Sequence, residues 1–278
     1  MNAFQSADSP KEGETCVFYV SSHGSAGEHW FDWLGRSLNA HPDLMIYMGE
    51  SVRSKYLKER SRKERPELLA FTSFLTDLGK PYRAIGECYA YRAYQLDALK
   101  PAYGDRVRFA NVVRHPYCWL SAYVNWRCTN MGMPAGQTLS VDHEWSVTRH
   151  DEFAALGLEP YTREQIHIWA SLQGMHILNR MLSDAVHNGR NYALENLVVD
   201  RDLLNEMVGY LTHGRVQFDR ALFDHVYGWT MTPFRADGRI LNAPELERAA
   251  WPAWKARAFE VLVRPEVRAM FEGWGYKL

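Results

Sequence analysis

Residues 16–39 read CVFYVSSHGSAGEHWFDWLGRSLN and contain a complete strand–loop–helix unit. The apolar run at 16–20 is rich in β-branched and aromatic residues, which predicts a buried strand. Small residues follow, and four apolar side chains then fall on one face of a helix predicted over 28–39. Such a unit aims backbone N–H groups and the positive end of a helix dipole at one point, which suits a phosphate.

The loop of this unit supplies candidate phosphate ligands. Gly24 and Gly27 let the backbone approach an anion closely, and Ser22 and Ser25 can donate hydroxyl groups. The stretch lacks the Gly-Lys-Ser/Thr ending of a Walker A motif, and taken alone it also fits an ordinary turn between a strand and a helix. The candidates are Ser22, His23, Gly24, Ser25, Ala26, Gly27, Glu28, His29 and Trp30.

A second strand–turn–helix unit is predicted around Arg114. A strand is predicted over 107–113, so that Arg114 lies at its carboxyl end, where ligands of open α/β sheets bind. Ser121 lies about two turns into the next helix. An arginine and a hydroxyl that converge can bind a phosphate, although Arg114 could equally pair with a carboxylate.

The rest of the chain continues the alternation of strands and helices, which predicts an α/β fold with a central, mainly parallel sheet flanked by helices. Residues 1–14 are predicted to be a disordered tail, 15–278 a single domain with an irregular insertion around 128–160, and 212–250 a loop. The further strands are predicted at 44–48, 82–86 and 191–195, and the further helices at 66–78, 90–99, 117–126, 162–187, 200–211, 251–262 and 265–274.

Composition excludes several classes of function. The 278 residues carry 32 basic and 33 acidic side chains, so there is no general basic field for nucleic acid and any anion site must be local. The four cysteines have no CxxC spacing, which argues against a disulfide framework or a zinc site. We expect a cytoplasmic protein with no membrane span, no signal peptide and no metal.

Taken in order along the chain, these elements resemble the sulfotransferases that use 3′-phosphoadenosine-5′-phosphosulfate (PAPS). Residues 22–30 are similar to the family's loop for the 5′-phosphosulfate, and 113–123 to its motif for the 3′-phosphate. Residues 193–200 and 271–276 are similar to two segments that come later in the sequences of this family. The resemblance is nearest to the bacterial, carbohydrate and tyrosylprotein branches and covers most of the chain. It implies a P-loop-like α/β fold, PAPS as donor and PAP as product.

The resemblance also implies roles for residues that bind the donor. The backbone from Gly24 to Gly27 would hold the phosphosulfate, and Trp30 would stack on adenine. Arg114 and Ser121 would hold the 3′-phosphate. A late phosphate-binding loop would use Arg235, Gly238 and Arg239.

The catalytic base implied by the resemblance is a carboxylate. Glu87 follows the strand predicted at 82–86 and matches the position of the base in the carbohydrate branch, whereas Glu50 matches the position used in the tyrosylprotein branch. His29 and His23 could stabilise the charge on the leaving oxygen.

Alternatives remain open at this stage. Ser25 stands where the family carries a basic residue and Glu28 where it carries a threonine, which keeps open a degenerate nucleotide-binding protein on the same fold. A P-loop-like kinase is a further alternative. The acceptor would be a hydroxyl or amine on a small molecule, a glycan or a peptide.

Overall fold

The computed structural model describes most of the sheet and the carboxyl-terminal helices. The described residues are 10–11, 13–22, 28–48, 65–88, 99–121, 189–197, 200–228, 244–263 and 265–278. The chain divides into two compact units. The first comprises Met1–Val113 with Leu182–Gly238, and the second comprises Arg114–Met181 with Arg239–Leu278. The predicted insertion at 128–160 and the predicted helix at 162–187 lie outside the described residues.

The first unit contains a parallel sheet and the helices connected to it. Its strands are β1 Cys16–Ser22, β2 Leu44–Met48, β3 Ala84–Cys88, β4 Val107–Val113 and β5 Gly189–Ala193. Its described helices are α1 Glu28–Asn39, α2 Arg65–Leu78, the short α3 Lys100–Tyr103, α5 Leu194–Leu197, α6 Arg201–Leu211 and α7 Arg220–Gly228.

The five strands form one sheet in the order β2-β3-β1-β4-β5, and all neighbouring pairs are parallel. This confirms the predicted α/β class. Parallel sheets are covered by helices on both faces, so their strands are nearly continuous apolar runs. Residues 16–20, the first five of β1, are buried, as that rule requires.

Helices cover both faces of the sheet. On one face, the hydroxyl of Tyr19 on β1 shares a hydrogen bond of 2.7 Å with Oγ1 of Thr72 on α2. On the opposite face, Sγ of Cys16 donates to the carbonyl of Thr212, immediately after α6. Connections between parallel strands are right-handed as a rule. In the order β2-β3-β1-β4-β5, the chain moves in one direction from β1 to β2 and in the opposite direction from β2 to β3, so α1 and α2 lie on opposite faces of the sheet.

The two ends of α6 are fixed by local chemistry. At its start, Oδ1 of Asp200 accepts hydrogen bonds from the backbone N–H groups of Asp202 and Leu203, at 2.9 and 3.1 Å. At its end, His213 adopts a left-handed conformation with φ 54°, and the next N–H, that of Gly214, donates to the carbonyl of Gly209. This pattern closes a helix by satisfying a carbonyl group of its last turn.

The described part of the second unit is helical. It contains α4, of which residues 116–121 are described, together with α8 Pro244–Ala249, α9 Ala253–Leu262 and α10 Pro265–Gly273. Its core is aromatic: the rings of Tyr117, Trp251 and Phe259 lie 5.2 to 5.5 Å from one another between centroids. The edge and tilted arrangements are those that aromatic pairs prefer.

Several predicted boundaries were wrong. Strand β3 lies two residues later than predicted, because Cys88 is buried in the sheet whereas Tyr82 is in the preceding turn. Strand β5 lies two residues earlier than predicted, since the helical turn α5 already begins at Leu194. The region predicted as a loop contains α7 and α8, and α9 begins only after Pro252. Among the described helices, none combines the length and apolarity needed to span a bilayer.

Candidate active site

The topological switch point of the sheet, where the direction of the strand connections reverses, lies between β1 and β4. The chain leaves β1 for β2 on one side and leaves β4 for β5 on the other, although β1 and β4 are neighbours. Their carboxyl ends are level, since Ser22 is the register partner of Val112. In open α/β sheets, a crevice forms outside the carboxyl ends of two such strands, and ligands bind there.

The first predicted motif begins at this point. Ser22 is the last residue of β1, and Glu28, His29 and Trp30 are the first three residues of α1. The predicted strand and helix of this unit are therefore confirmed, and α1 has the predicted bounds. The loop residues His23, Gly24, Ser25, Ala26 and Gly27, and the side chains of Glu28, His29 and Trp30, lie outside the described residues.

Glu87 lies within β3, the strand on the other side of β1. It was predicted to follow this strand, but it is the next-to-last residue of the strand and only 1% exposed. Its register partners are Tyr19 on β1 and Tyr47 on β2, so the three side chains share the face that α2 covers. Burial raises the pKa of the adjacent Cys88 thiol, and the charge of Glu87 adds to that rise.

The structure adds a polar pair on β4 and β5 that the sequence analysis did not select. Nδ2 of Asn111 donates to Oδ1 of its register partner Asn191 over 3.1 Å. Asn111 is 1% exposed, and its Oδ1 forms no hydrogen bond within the described part of the chain. An asparagine inside the apolar run VRFANVV is a visible irregularity, and it could have marked Asn111 from sequence.

The second predicted motif begins directly after β4. Arg114 follows Val113 and is 2% exposed. The following turn is held by His115, whose Nδ1 accepts from the backbone N–H of Tyr117 at 3.3 Å. Its other ring nitrogen lies 3.3 Å from the carbonyl oxygen of Lys277. A buried guanidinium on a fixed turn is a suitable, preorganised ligand for a phosphate.

Ser121 on α4 is held by two residues near the carboxyl end of the chain. Its Oγ accepts hydrogen bonds from Nε1 of Trp251 at 2.9 Å and from Nζ of Lys255 at 2.8 Å. Both partners are buried, with exposures of 8% and 5%. Trp251 and Lys255 were not predicted as site residues, because they lie 130 and 134 positions from Ser121 and belong to no local motif.

The remaining predicted site residues, Glu50, Arg235, Gly238 and Arg239, lie outside the described residues. In the part of the chain that is described, no group of three histidine, cysteine or acidic side chains could hold a metal ion. Cys16, Cys88 and Cys118 are buried, and these three described cysteines form no disulfide with one another. Burial raises the pKa values of the Cys16 and Cys88 thiols, so neither is suited to act as a thiolate nucleophile.

Comparison with known proteins finds solved structures that are similar to this chain, among them the two that follow. Neither a protein-family model nor a curated protein matches the chain. The sulfotransferase domain from the curacin biosynthetic pathway is 15% identical, with a TM-score of 0.43 over 95% of this chain and 99% of that one. A sulfotransferase from Alicyclobacillus acidocaldarius is 15% identical, with a TM-score of 0.40 over 76% of this chain and 90% of that one.

Proposed function

We propose that this chain is a sulfotransferase that moves a sulfuryl group from PAPS to a hydroxyl or amine of an acceptor. The observation that carries the proposal is the strand order β3-β1-β4. Three stretches were selected from the sequence for their chemistry, and each lies at the carboxyl end of one of these neighbouring parallel strands. The stretch around Glu87 ends β3, residues 22–30 follow β1, and the stretch that begins at Arg114 follows β4. Parallel strands direct their carboxyl ends to one edge of a sheet, which is where α/β proteins bind their ligands.

The donor is proposed to lie with its phosphosulfate against the turn between β1 and α1. This turn leads into a 12-residue helix, whose first N–H groups and dipole favour an anion. Residues 22–30 would supply these contacts, with Trp30 against adenine. Arg114 and Ser121 would hold the 3′-phosphate, with Arg235, Gly238 and Arg239 as a further phosphate loop.

The reaction step is an in-line displacement at sulfur. The acceptor oxygen or nitrogen attacks the sulfur, the bond from sulfur to the bridging oxygen breaks, and PAP departs with that electron pair. The acceptor proton passes to a carboxylate, for which Glu87 is the first candidate and Glu50 the second. His29 would stabilise the charge on the departing oxygen. Positioning and charge stabilisation carry most of such a reaction, as in phosphoryl transfer.

The experiment is a thermal shift measurement with PAP, ATP with magnesium, AMP and adenosine 5′-phosphosulfate. A ligand at about 100 times its Kd adds about 2.7 kcal/mol of stability, which for a chain of this size is several degrees. We expect PAP to stabilise most, because it alone carries the 3′-phosphate together with the 5′-phosphate. Arg114→Ala should remove most of that shift. Arg257→Ala, which changes an exposed arginine of α9, is the matched control and should leave it intact.

The outcomes separate the alternatives. Stabilisation by ATP with magnesium and not by PAP would favour a kinase. Stabilisation by PAP without turnover of PAPS, in the presence of pooled hydroxyl and amine acceptors, would favour a degenerate nucleotide-binding protein. If PAP does not stabilise the wild-type protein, the assignment of PAPS as the donor is refuted.

A further inference from the structure

Ser121, Trp251 and Lys255 in the second unit form a hydrogen-bonded cluster in which the serine hydroxyl accepts twice. Oγ of Ser121 lies 2.9 Å from Nε1 of Trp251 and 2.8 Å from Nζ of Lys255. An indole N–H and a lysine ammonium can only donate, so the serine oxygen is the acceptor in both hydrogen bonds.

The proton of Ser121 therefore needs an acceptor. A hydroxyl oxygen has two acceptor sites and one proton, and both acceptor sites are engaged. Within the described residues, no group accepts that proton. Ser121 is partly exposed, so a ligand oxygen can reach it. The serine is thus an oriented donor, whose hydroxyl cannot rotate away without losing two hydrogen bonds.

The charges around the cluster favour an anion. Nζ of Lys255 lies 4.9 Å from the centroid of the Trp251 ring, and the guanidinium of Arg248 lies 5.3 Å from the same centroid. Two carboxylates are also near. Glu247 accepts from the same indole N–H at 3.2 Å, and Glu260 lies 3.5 Å from Arg248 and 3.0 Å from Arg268. Three cations thus accompany two carboxylates in this described region.

Trp251 holds the two donors in position. Its ring is 8% exposed and packs against Tyr117 and Phe259, which fixes the direction of the indole N–H. The cation–π contact with Lys255 and the hydrogen bond to Ser121 then restrict both side chains. A lysine loses much rotamer freedom when it binds an anion, and a lysine that is already held loses less.

We propose that Lys255 and the hydroxyl of Ser121 together bind the 3′-phosphate of the donor, with Trp251 as their positioning residue. This inference rests on the proposed function and adds to it a ligand from the far end of the chain. A phosphate monoester has three terminal oxygens, enough to accept from the Ser121 hydroxyl, the Lys255 ammonium and a guanidinium such as that of Arg114.

The test measures the Kd values of PAP and AMP by titration calorimetry, since the two ligands differ only in the 3′-phosphate. Wild type should bind PAP more tightly than AMP. Lys255→Met, which keeps the unbranched shape and most of the length of the side chain but not its charge, should weaken PAP binding about 10- to 100-fold and leave AMP binding unchanged. Ser121→Ala should weaken PAP binding less, and Lys255→Arg should restore part of the preference. Arg257→Met, on the exposed side of α9, is the control and should bind both ligands as wild type does.

The ratio of the two Kd values does not depend on a loss of stability, because each variant's AMP affinity is its own reference. If wild type prefers PAP and Lys255→Met keeps that preference, the role of Lys255 is refuted while the donor assignment stands. If wild type itself does not prefer PAP over AMP, the donor assignment fails, and the 3′-phosphate site fails with it.

Discussion

The side chains of Glu87 on β3 and Tyr19 on β1 share one face of the sheet, because the two residues are register partners in neighbouring parallel strands. The hydroxyl of Tyr19 is in turn hydrogen-bonded to Thr72 on α2. The carboxylate therefore lies on a rigid strand rather than on a loop. A base held on a strand keeps its geometry better than one on a mobile segment, which suits proton transfer in a fixed direction.

Glu87→Gln should lower the rate of PAP formation from PAPS by about 10² to 10⁴-fold, the usual contribution of a positioned base. The amide keeps the shape of the side chain but cannot take a proton, so PAP binding should stay close to that of wild type. The measurement is PAPS turnover with pooled acceptors, alongside the Kd of PAP. Glu206→Gln, at an exposed position on α6, is the control. A full rate in Glu87→Gln with a lost rate in Glu50→Gln would move the base to Glu50.

The amide pair on β4 and β5 gives a prediction about stability. Asn111→Leu removes a buried amide whose oxygen has no described partner, so it should cost little or raise the free energy of unfolding. Asn191→Leu instead takes away the partner of Nδ2 of Asn111 and should cost about 1 kcal/mol or more. Urea denaturation measures both, and the double variant should recover most of the loss. A larger loss in Asn111→Leu than in Asn191→Leu would contradict this account.

Two glycines should respond to alanine in opposite directions. A Cβ at Gly86 on β3 would lie within 2.6 Å of three carbons of the Phe18 ring, so Gly86→Ala should lower the free energy of unfolding by about 1 to 3 kcal/mol. A Cβ at Gly209 in α6 would meet nothing within 4 Å, and Gly209→Ala should raise it by about 0.5 to 1 kcal/mol, because alanine is the better helix former. Denaturation midpoints of the two variants on opposite sides of wild type are the expected result.

The sequence predicted the parts of the fold that local pattern specifies. The bounds of α1, β2 and β4 were predicted correctly, since apolar runs meet clear turn signals at both ends. The bounds of β3 were wrong by two residues, because a shift of two keeps the same faces of a strand and leaves the pattern almost unchanged. Helix α7 was missed because it is short and its buried side chains, among those described, are only Phe223 and Val226, which leaves a weak helical pattern in the sequence.

The residues of the candidate site also fall into those that a local sequence pattern predicts and those that it does not. Ser22 and Arg114 were selected because each lies at or next to a strand end that the sequence makes visible, and Glu28 because it begins the helix that follows the first strand. Lys255 was not selected, since its relation to Ser121 depends on a contact between residues 134 positions apart. No pattern in a single sequence encodes such a contact, which is determined by the packing of the aromatic core around Trp251.

His213, which ends α6, should make the stability of the protein depend on pH. Burial, and then the positive charge of Arg108, lower the pKa of His213 from 6.5 to about 4. Between these two values the unfolded chain binds more protons than the folded protein does. Stability is therefore full above about pH 7, falls as the pH drops through 6.5, and stops falling near pH 4. The loss from this group is roughly 1 to 3 kcal/mol after allowance for solvent screening.

His213→Asn tests this dependence, because asparagine tolerates the left-handed conformation at φ 54° and does not titrate. Urea denaturation at pH 7.5, 6, 5 and 4.5 measures the free energy of unfolding. As the pH falls, this free energy should decrease less in the variant than in wild type, and near pH 7.5 the two profiles should have the same slope. His225→Asn, which changes an exposed histidine on α7, is the matched control and should follow the wild-type profile. Parallel profiles for wild type and His213→Asn would mean that His213 is not the group that couples folding to pH, because a histidine whose pKa is lowered in the folded state must destabilise the protein as the pH falls through this interval.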